Sequence, residues 1–243
     1  MGVIHRKQQR LVIVGIGGPS ASGKTTVARY LSKILPNCWL IHQDDFYKPE
    51  SEIPIDKETG LANWDIPEAI DIARFMDILG EAMESDHISE YVSTELPEDP
   101  NRVHIDEPTL SHMKSQFEDH LNRTKSSFGS VRFLLIDGFI MYCFPELVRH
   151  LDVKIFIKAS YETLKRRREE KIGYTTLEGF WVDPPGYFDK IVWPNYLACN
   201  RHIINPETEE ETVDGLVLFD SGAQTVVKIV TETLALIQQS IYP

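Results

Sequence analysis

The sequence predicts an α/β fold, a parallel sheet with helices on both faces, and three observations carry that prediction. Apolar runs of strand length alternate with stretches of helical periodicity along the chain, the pattern of strands joined by crossover helices. The first run, Arg10 to Ile16 (RLVIVGI), is continuously apolar, as a strand buried on both faces must be. A glycine-rich turn and then a helix follow it directly. With 243 residues, 42% of them hydrophobic, the chain can bury one sizeable core, and its length favours a single domain over 1–243.

Each element has its own signal. After the glycine turn Val27, Tyr30, Leu31, Ile34 and Leu35 form one apolar helical face, and Pro36 stops the helix. Trp39 to His42 reads as the second strand. Pro67 to Met83 is a predicted helix, with Asp65 as its cap and Pro67 tolerated in the first turn. Residues 85–130 are polar, weakly periodic and hold four of the eight histidines. They read as a surface insertion with a short helix near Thr109 to Leu121, and the absence of HExxH-type spacing argues against zinc. Val131 to Ile136 and Val153 to Ile157 are further strands. Ser160 can cap a helix running towards Lys171, Leu216 to Phe219 is a last strand, and Val226, Val230, Leu234, Ile237 and Ile241 mark a closing helix.

Composition narrows the partners. A net charge of −12 opposes nucleic-acid phosphates, so no nucleic acid is expected. The segment Met1 to Arg10 is basic, but the apolar run after it is too short for a signal peptide, and no stretch is long enough to span a membrane. Cys38, Cys143 and Cys199 are odd in number and lack CxxC spacing, which fits reduced thiols. A cytoplasmic monomer is the expectation, with the nucleus left open.

The sharpest motif is Gly18-Pro19-Ser20-Ala21-Ser22-Gly23-Lys24-Thr25, a GxxxxGK[ST] phosphate loop with the required strand before it and helix after it. Gly18 and Gly23 permit backbone angles that turn successive N–H groups inward around phosphate oxygens, and the helix adds the positive end of its dipole. Lys24 can reach the β- and γ-phosphates of ATP, and the Thr25 hydroxyl can hold Mg2+. Two weaker matches do not compete. Gly15-x-Gly17 lacks the third glycine of a dinucleotide fingerprint, and Asp77 to Gly80 spells the DxxG of GTP switches inside a predicted helix, with no NKxD sequence to read guanine.

A phosphate loop alone fits a motor, a switch or a kinase. Asp44-Asp45 follows the second strand, at the carboxyl end of the sheet beside the loop, where a carboxylate can accept a hydroxyl proton and help place Mg2+. Such an aspartate is otherwise an ordinary turn residue. Asp137 ends the third strand (FLLIDG), a place for a carboxylate on the metal side. Lys165 to Arg168, with Lys171, is a basic run at a helix end, equally a solvated terminus or part of a lid closing cations over phosphate. Together these favour a kinase acting on a small-molecule hydroxyl.

Longer stretches are more specific: GxxxxGKTT at Gly18 to Thr26, LPNC at Leu35 to Cys38, QDDFYKPESEI at Gln43 to Ile53, Trp64-Asp65, IDGF at Ile136 to Phe139, KRRR at Lys165 to Arg168, and PGYFDKIVWPNYL at Pro185 to Leu197. In these the chain resembles the nicotinamide riboside kinases, relatives of the uridine kinases. The resemblance implies a P-loop nucleoside-kinase fold with residues 165–190 as lid and substrate cover, and ATP-dependent 5′-phosphorylation of nicotinamide riboside in NAD biosynthesis, with nicotinate riboside as a second acceptor. It implies that Asp44 is the base, with Lys24 and Arg167 acting on the phosphates. Gly18, Ser20, Ala21, Ser22, Gly23, Lys24, Thr25 and Thr26 would cradle ATP, with Arg167 and Lys171 facing it. Thr25 and Asp44, joined by Asp137, would position Mg2+. Asp44, Asp45, Phe46, Tyr47 and Asp65 would line the ribose, and Arg168 would touch the substrate. Trp64 would cover one face of the nicotinamide ring and Tyr174 the other, with Trp181 as the alternative, because the stretch from Thr175 to Val182 shifts the family's spacing. Near Asp220 to Ala223 the backbone would meet adenine. The competing readings are a uridine or cytidine kinase and a non-catalytic nucleotide-binding regulator; the presence of Asp44 speaks against the latter.

Overall fold

The computed structural model describes residues 10–85, 91, 93, 104–124, 130–171, 173–175, 179–204 and 213–241. The basic opening segment before Arg10 and much of 86–103 and 125–129 lie outside them. Five strands, β1 (Arg10–Gly17), β2 (Cys38–His42), β3 (Val131–Gly138), β4 (Val153–Lys158) and β7 (Leu216–Asp220), form one parallel sheet in the order β2-β3-β1-β4-β7. A two-stranded antiparallel hairpin, β5 (Tyr174–Thr175) with β6 (Phe180–Trp181), stands apart from it.

Alternation along β1 sorts the core. Val12, Val14 and Ile16 point to one face, where they join α1 (Lys24–Ile34), α3 (Glu107–Thr124) and α8 (Val226–Ile241). Ile13 points to the other, against α2 (Ile72–Glu84), Tyr142 and Tyr196. The sheet is thus covered on both faces, as its unbroken apolar strands require. A third apolar cluster, with Trp64, Leu164, Tyr187 and Ile191, lies beyond the sheet's carboxyl end. Among the described residues no helix is long and apolar enough to cross a membrane.

Gly17 owes its identity to Tyr142, and Gly15 to Leu151, whose side chain would lie 2.5 Å from an added Cβ. A Cβ on Gly17 would come within 2.3 Å of the Tyr142 ring, whose hydroxyl donates to the carbonyls of Gly15 and Ile155 at 3.2 and 2.9 Å. The two glycines make room for core side chains rather than a dinucleotide.

Two expectations are corrected. The helix expected from Pro67 starts at Ile72: Pro67–Ala69 is a 3-10 turn, Ile70 is extended and pairs with Tyr47, and Asp71 rather than Asp65 caps α2 by accepting from the Arg74 amide at 3.0 Å. The physical reason is Ile70, whose buried side chain is held by an extended backbone that no helix could continue through. The second correction concerns the presumed surface insertion. Its helix α3 is longer than predicted and is part of the core, with Met113, Phe117 and Leu121 buried against α1 and the sheet. Asp106 caps it through the Thr109 amide, and Tyr30 anchors its start by accepting from the Ile105 amide at 3.0 Å. Its weak periodicity reflects polar residues on a single exposed face, not a detached segment.

The chain also forms α4 (Pro145–Val148), α5 (Tyr161–Glu169), α6 (Trp193–Cys199) and α7 (Arg201–Ile204). Ser160 caps α5 as expected, accepting from the Thr163 amide at 3.3 Å. A π-helical turn, Phe188–Val192, leads directly into α6.

Candidate active site

Residues 18–23 connect β1 to α1 as a tight loop, and Lys24 and Thr25 begin the helix. Gly18 has φ 150°, and a Cβ there would sit 2.3 Å from the Ile157 carbonyl oxygen, so only glycine fits. Gly23, at φ 95°, occupies the cap position of α1, with no side chain engaged in capping. The first turn of α1 holds no acidic residue, which leaves its positive end uncompensated. Lys24 is buried, and Ser22 is fully buried with a hydroxyl that has no partner among the described residues. A helix start with no acidic residue, a buried cation and an unsatisfied hydroxyl is built to receive an anion.

The ends of β2 and β3 place carboxylates at the same edge of the sheet. His42 and Asp137 are register partners, and their buried side chains meet, Nδ1 to Oδ2, at 3.0 Å. Burial pushes the Asp137 carboxyl up, but the charge of Lys24 and hydrogen bonds from His42 and Thr25 outweigh it and hold it below the usual carboxylate value. Its other oxygen, Oδ1, is buried and has no partner among the described residues.

After β2, a 3-10 turn, Gln43–Phe46, deals successive side chains to different surroundings. Asp44 is half-buried, and its carboxylate takes no hydrogen bond among the described residues; Asp65 and Tyr47 are close enough to feel its charge. Asp45 is buried and accepts from the Tyr91 hydroxyl. Phe46 is fully buried, stacked on Phe75 with ring centroids 4.6 Å apart. Asp45 and Phe46, expected to line the ribose, thus turn their side chains towards Tyr91 and into the core. At about three residues per turn, one position opens to the site while its neighbours turn into the core.

The basic run divides in the same way. Lys165 reaches Asp189 at 2.6 Å, away from the phosphate loop, and Arg166 is exposed. Arg167 donates to the Ala21 carbonyl at 3.4 Å and to Ser221 at 3.0 Å, bridging the phosphate loop and the turn after β7. Arg168 is buried between two carboxylates, donating to Asp65 at 3.1 and 3.4 Å and to Asp183 at 2.6 and 3.2 Å. Lys171 lies over the Tyr174 ring at 3.8 Å. Burial pushes the Asp65 carboxyl above its usual value, and the Arg168 charge opposes that rise.

Tyr174 and Trp181 are cross-strand partners on the β5–β6 hairpin. Trp181 packs against Trp64, centroids 5.7 Å apart and planes at 52°, and donates its indole N–H to Asp183 at 2.9 Å. Tyr174 instead lies beside Arg168 and reaches the Ser20 hydroxyl at 3.4 Å. Tyr174 was expected opposite Trp64; Trp181 is the residue found there. The alternative followed the longer spacing before Asp183-Pro184-Pro185, and the hairpin accounts for that spacing. Trp64 is itself buried, with Tyr47 edge-on to it at 5.3 Å.

Sequence reasoning missed three residues in this arrangement, His42, Asp183 and Tyr187, and the side-chain contact of Ser221 with Arg167. His42 was legible in principle as the strand-end neighbour of Asp137. Asp183 had no signal beyond a Pro-Pro turn. Tyr187, which donates to the Ala62 carbonyl at 2.8 Å and accepts from the Trp64 amide, fixes the loop that carries Trp64. Ser221 meets Arg167 through a turn that only the folded chain brings near.

A family model described as an AAA domain matches residues 14–175. The chain is similar to the nicotinamide riboside kinase of Eremothecium gossypii, 37% identical over 206 residues, covering 83% of this chain and 81% of that one. It is similar to the nicotinamide riboside kinase of Saccharomyces cerevisiae, 35% identical with 83% and 82% covered. Nicotinamide riboside kinase 1 of Homo sapiens is 34% identical, with 84% and 83% covered.

Proposed function

The chain belongs to the nicotinamide riboside kinases, and from that premise we propose that it transfers the γ-phosphate of ATP to the 5′-hydroxyl of nicotinamide riboside with Asp44 as the base. The observation that carries this is the Asp44 carboxylate, free of hydrogen bonds among the described residues and set at the sheet end that bears the phosphate loop. A carboxylate already engaged, as Asp45 is by Tyr91, would have to give up a partner before taking a proton.

The phosphate loop and the start of α1 hold the nucleotide: backbone amides of the loop, other than that of Ser22, which donates to the Pro19 carbonyl, and the buried Lys24 meet phosphate oxygens. Arg167, bridging Ala21 and Ser221, is placed to offset charge as the phosphoryl group moves. The donor set suits Mg2+, a hard cation that prefers oxygen. Thr25 and Asp44 would hold it, and the unpartnered Asp137 Oδ1 would accept from its water shell, with His42 fixing the carboxylate. When bound, the ion offsets negative charge on the phosphates.

On the acceptor side, Asp65 and Tyr47 lie near Asp44, and the Trp64–Trp181 pair offers aromatic faces to a pyridinium ring. At 5.7 Å between centroids the two indoles are in contact with each other, so the ring enters as Trp181 moves with its hairpin, and the lid covers it. Arg168 acts by holding Asp65 and Asp183 rather than by reaching the substrate. Nicotinate riboside shares the ribose and ring contacts and is accepted as well. An ADP-release assay over nicotinamide riboside, nicotinate riboside, uridine and cytidine tests the reading. Activity confined to the pyrimidine nucleosides would overturn it.

A further inference from the structure

Two of the three cysteines meet. Cys143 ends the 3-10 turn Met141–Cys143 after β3, and Cys199 ends α6. They lie 56 residues apart in sequence, yet the Cys143 thiol donates to the Cys199 carbonyl at 2.9 Å, which brings the two cysteines side by side. Both are half-buried, open enough for a small oxidant. The contact pushes the Cys143 thiol up, aided by burial. It holds the Cys199 thiol below its usual value, against burial, so Cys199 is the better nucleophile. Cys38 sits apart on β2, where burial pushes its thiol up to about 12 and keeps it protonated.

What the two cysteines are attached to gives the pair its consequence. The chain just before Cys143 carries Phe139 and Ile140, and α6 carries Tyr196. These line one narrow cavity together with Val192, Ser20 of the phosphate loop and Asp65. The π-helical turn runs into α6 without a break, so α6 is coupled to the segment that bears the lid.

We propose that Cys143 and Cys199 form a redox modification site, at which hydrogen peroxide joins the two thiols in an intramolecular disulfide that pins α6 to the turn after β3 and slows turnover. The Cys199 sulfur attacks one peroxide oxygen and the O–O bond breaks, giving a sulfenic acid and a hydroxide that leaves as water with the thiol proton. The Cys143 sulfur then attacks the Cys199 sulfur. The S–S bond forms, the S–O bond breaks, and the hydroxyl departs as a second water with the Cys143 proton. The two thiols lose two electrons and two protons in all, and the peroxide is reduced to two waters.

The test uses the full-length protein and reads thiols and mass as well as activity, so it does not depend on the riboside assignment. After peroxide, one titratable thiol of the three should remain, assigned to Cys38 by peptide mapping, and the intact mass should fall by two hydrogens. Turnover should drop several-fold and recover with dithiothreitol. Cys143→Ser and Cys199→Ser should each keep basal activity and lose the reversible response, whereas Cys38→Ser should keep it. Three thiols surviving an exposure that oxidises a reference dithiol would overturn the proposal. So would cross-linking between molecules, or full turnover by the quantitatively oxidised protein.

Discussion

Asp44, Asp45 and Phe46 are adjacent in sequence and differ in everything that matters for chemistry. Asp44→Asn keeps the size and removes the proton-accepting oxygen, so kcat should fall by about 10²-fold or more while ATP binding persists; single-turnover kinetics with a nucleotide-binding control measure both. Trp181 is the partly exposed member of the indole pair, and its face attracts a cation through the ring quadrupole. Trp181→Leu should lower kcat/KM for nicotinamide riboside by about 2- to 30-fold, the range for such a contact, with little change in Tm. An equal loss for uncharged nucleosides would count against the charge argument. At this scale the phosphate loop was legible because its function rests on backbone and glycine. The substrate side was less so: a motif gives adjacency, whereas the 3-10 turn decides which of its residues leave the core. Asp65 was misread as a cap because its partner, Arg168, is more than a hundred residues away.

Elements show the same division between local and distant causes. The faces of α1 and α8 were readable because both pack on the sheet with full helical periodicity. The late start of α2 was not, since it depends on Ile70 pairing with Tyr47. For α3, burial of Phe117 against Phe133 decides its status. Phe117→Ala should cost about 3–5 kcal/mol of stability, as expected for emptying a core aromatic site. A surface insertion would lose almost nothing, and chemical denaturation separates the outcomes. In α5 neighbouring arginines diverge, one towards the phosphate loop and one into a carboxylate pair. Arg167→Ala should lower kcat more than it weakens ATP affinity, because charge on the moving phosphate is met best by the closed arrangement. Loss of affinity alone would reduce Arg167 to a nucleotide anchor. Arg168→Ala should instead destabilise the fold by about 3–5 kcal/mol, since it strands two carboxylates at a largely buried site; a thermal melt reports it.

Over the whole molecule, alternating strands and helices were enough to foresee a parallel sheet covered on both faces. The strand order was not written in any one segment. It places β1 at the centre, between β3 and β4, and that has a consequence for how the molecule comes into being. The phosphate loop is encoded near the start of the chain, but its supporting strand has no partner until Val131–Gly138 has been made, and only half its neighbours until Val153–Lys158 follows. A nascent chain therefore carries its most recognisable motif through more than a hundred further residues of synthesis without a platform to hold the loop in shape. Pairings this distant close slowly, on the millisecond-to-second scale typical of non-local topologies. In pulse-labelled refolding, the amides of Val12 and Val14 should gain protection in the same late phase as those of β4. Nucleotide added during refolding should leave the rate of that phase unchanged and act only afterwards, so ATP rewards the finished sheet and cannot help to build it.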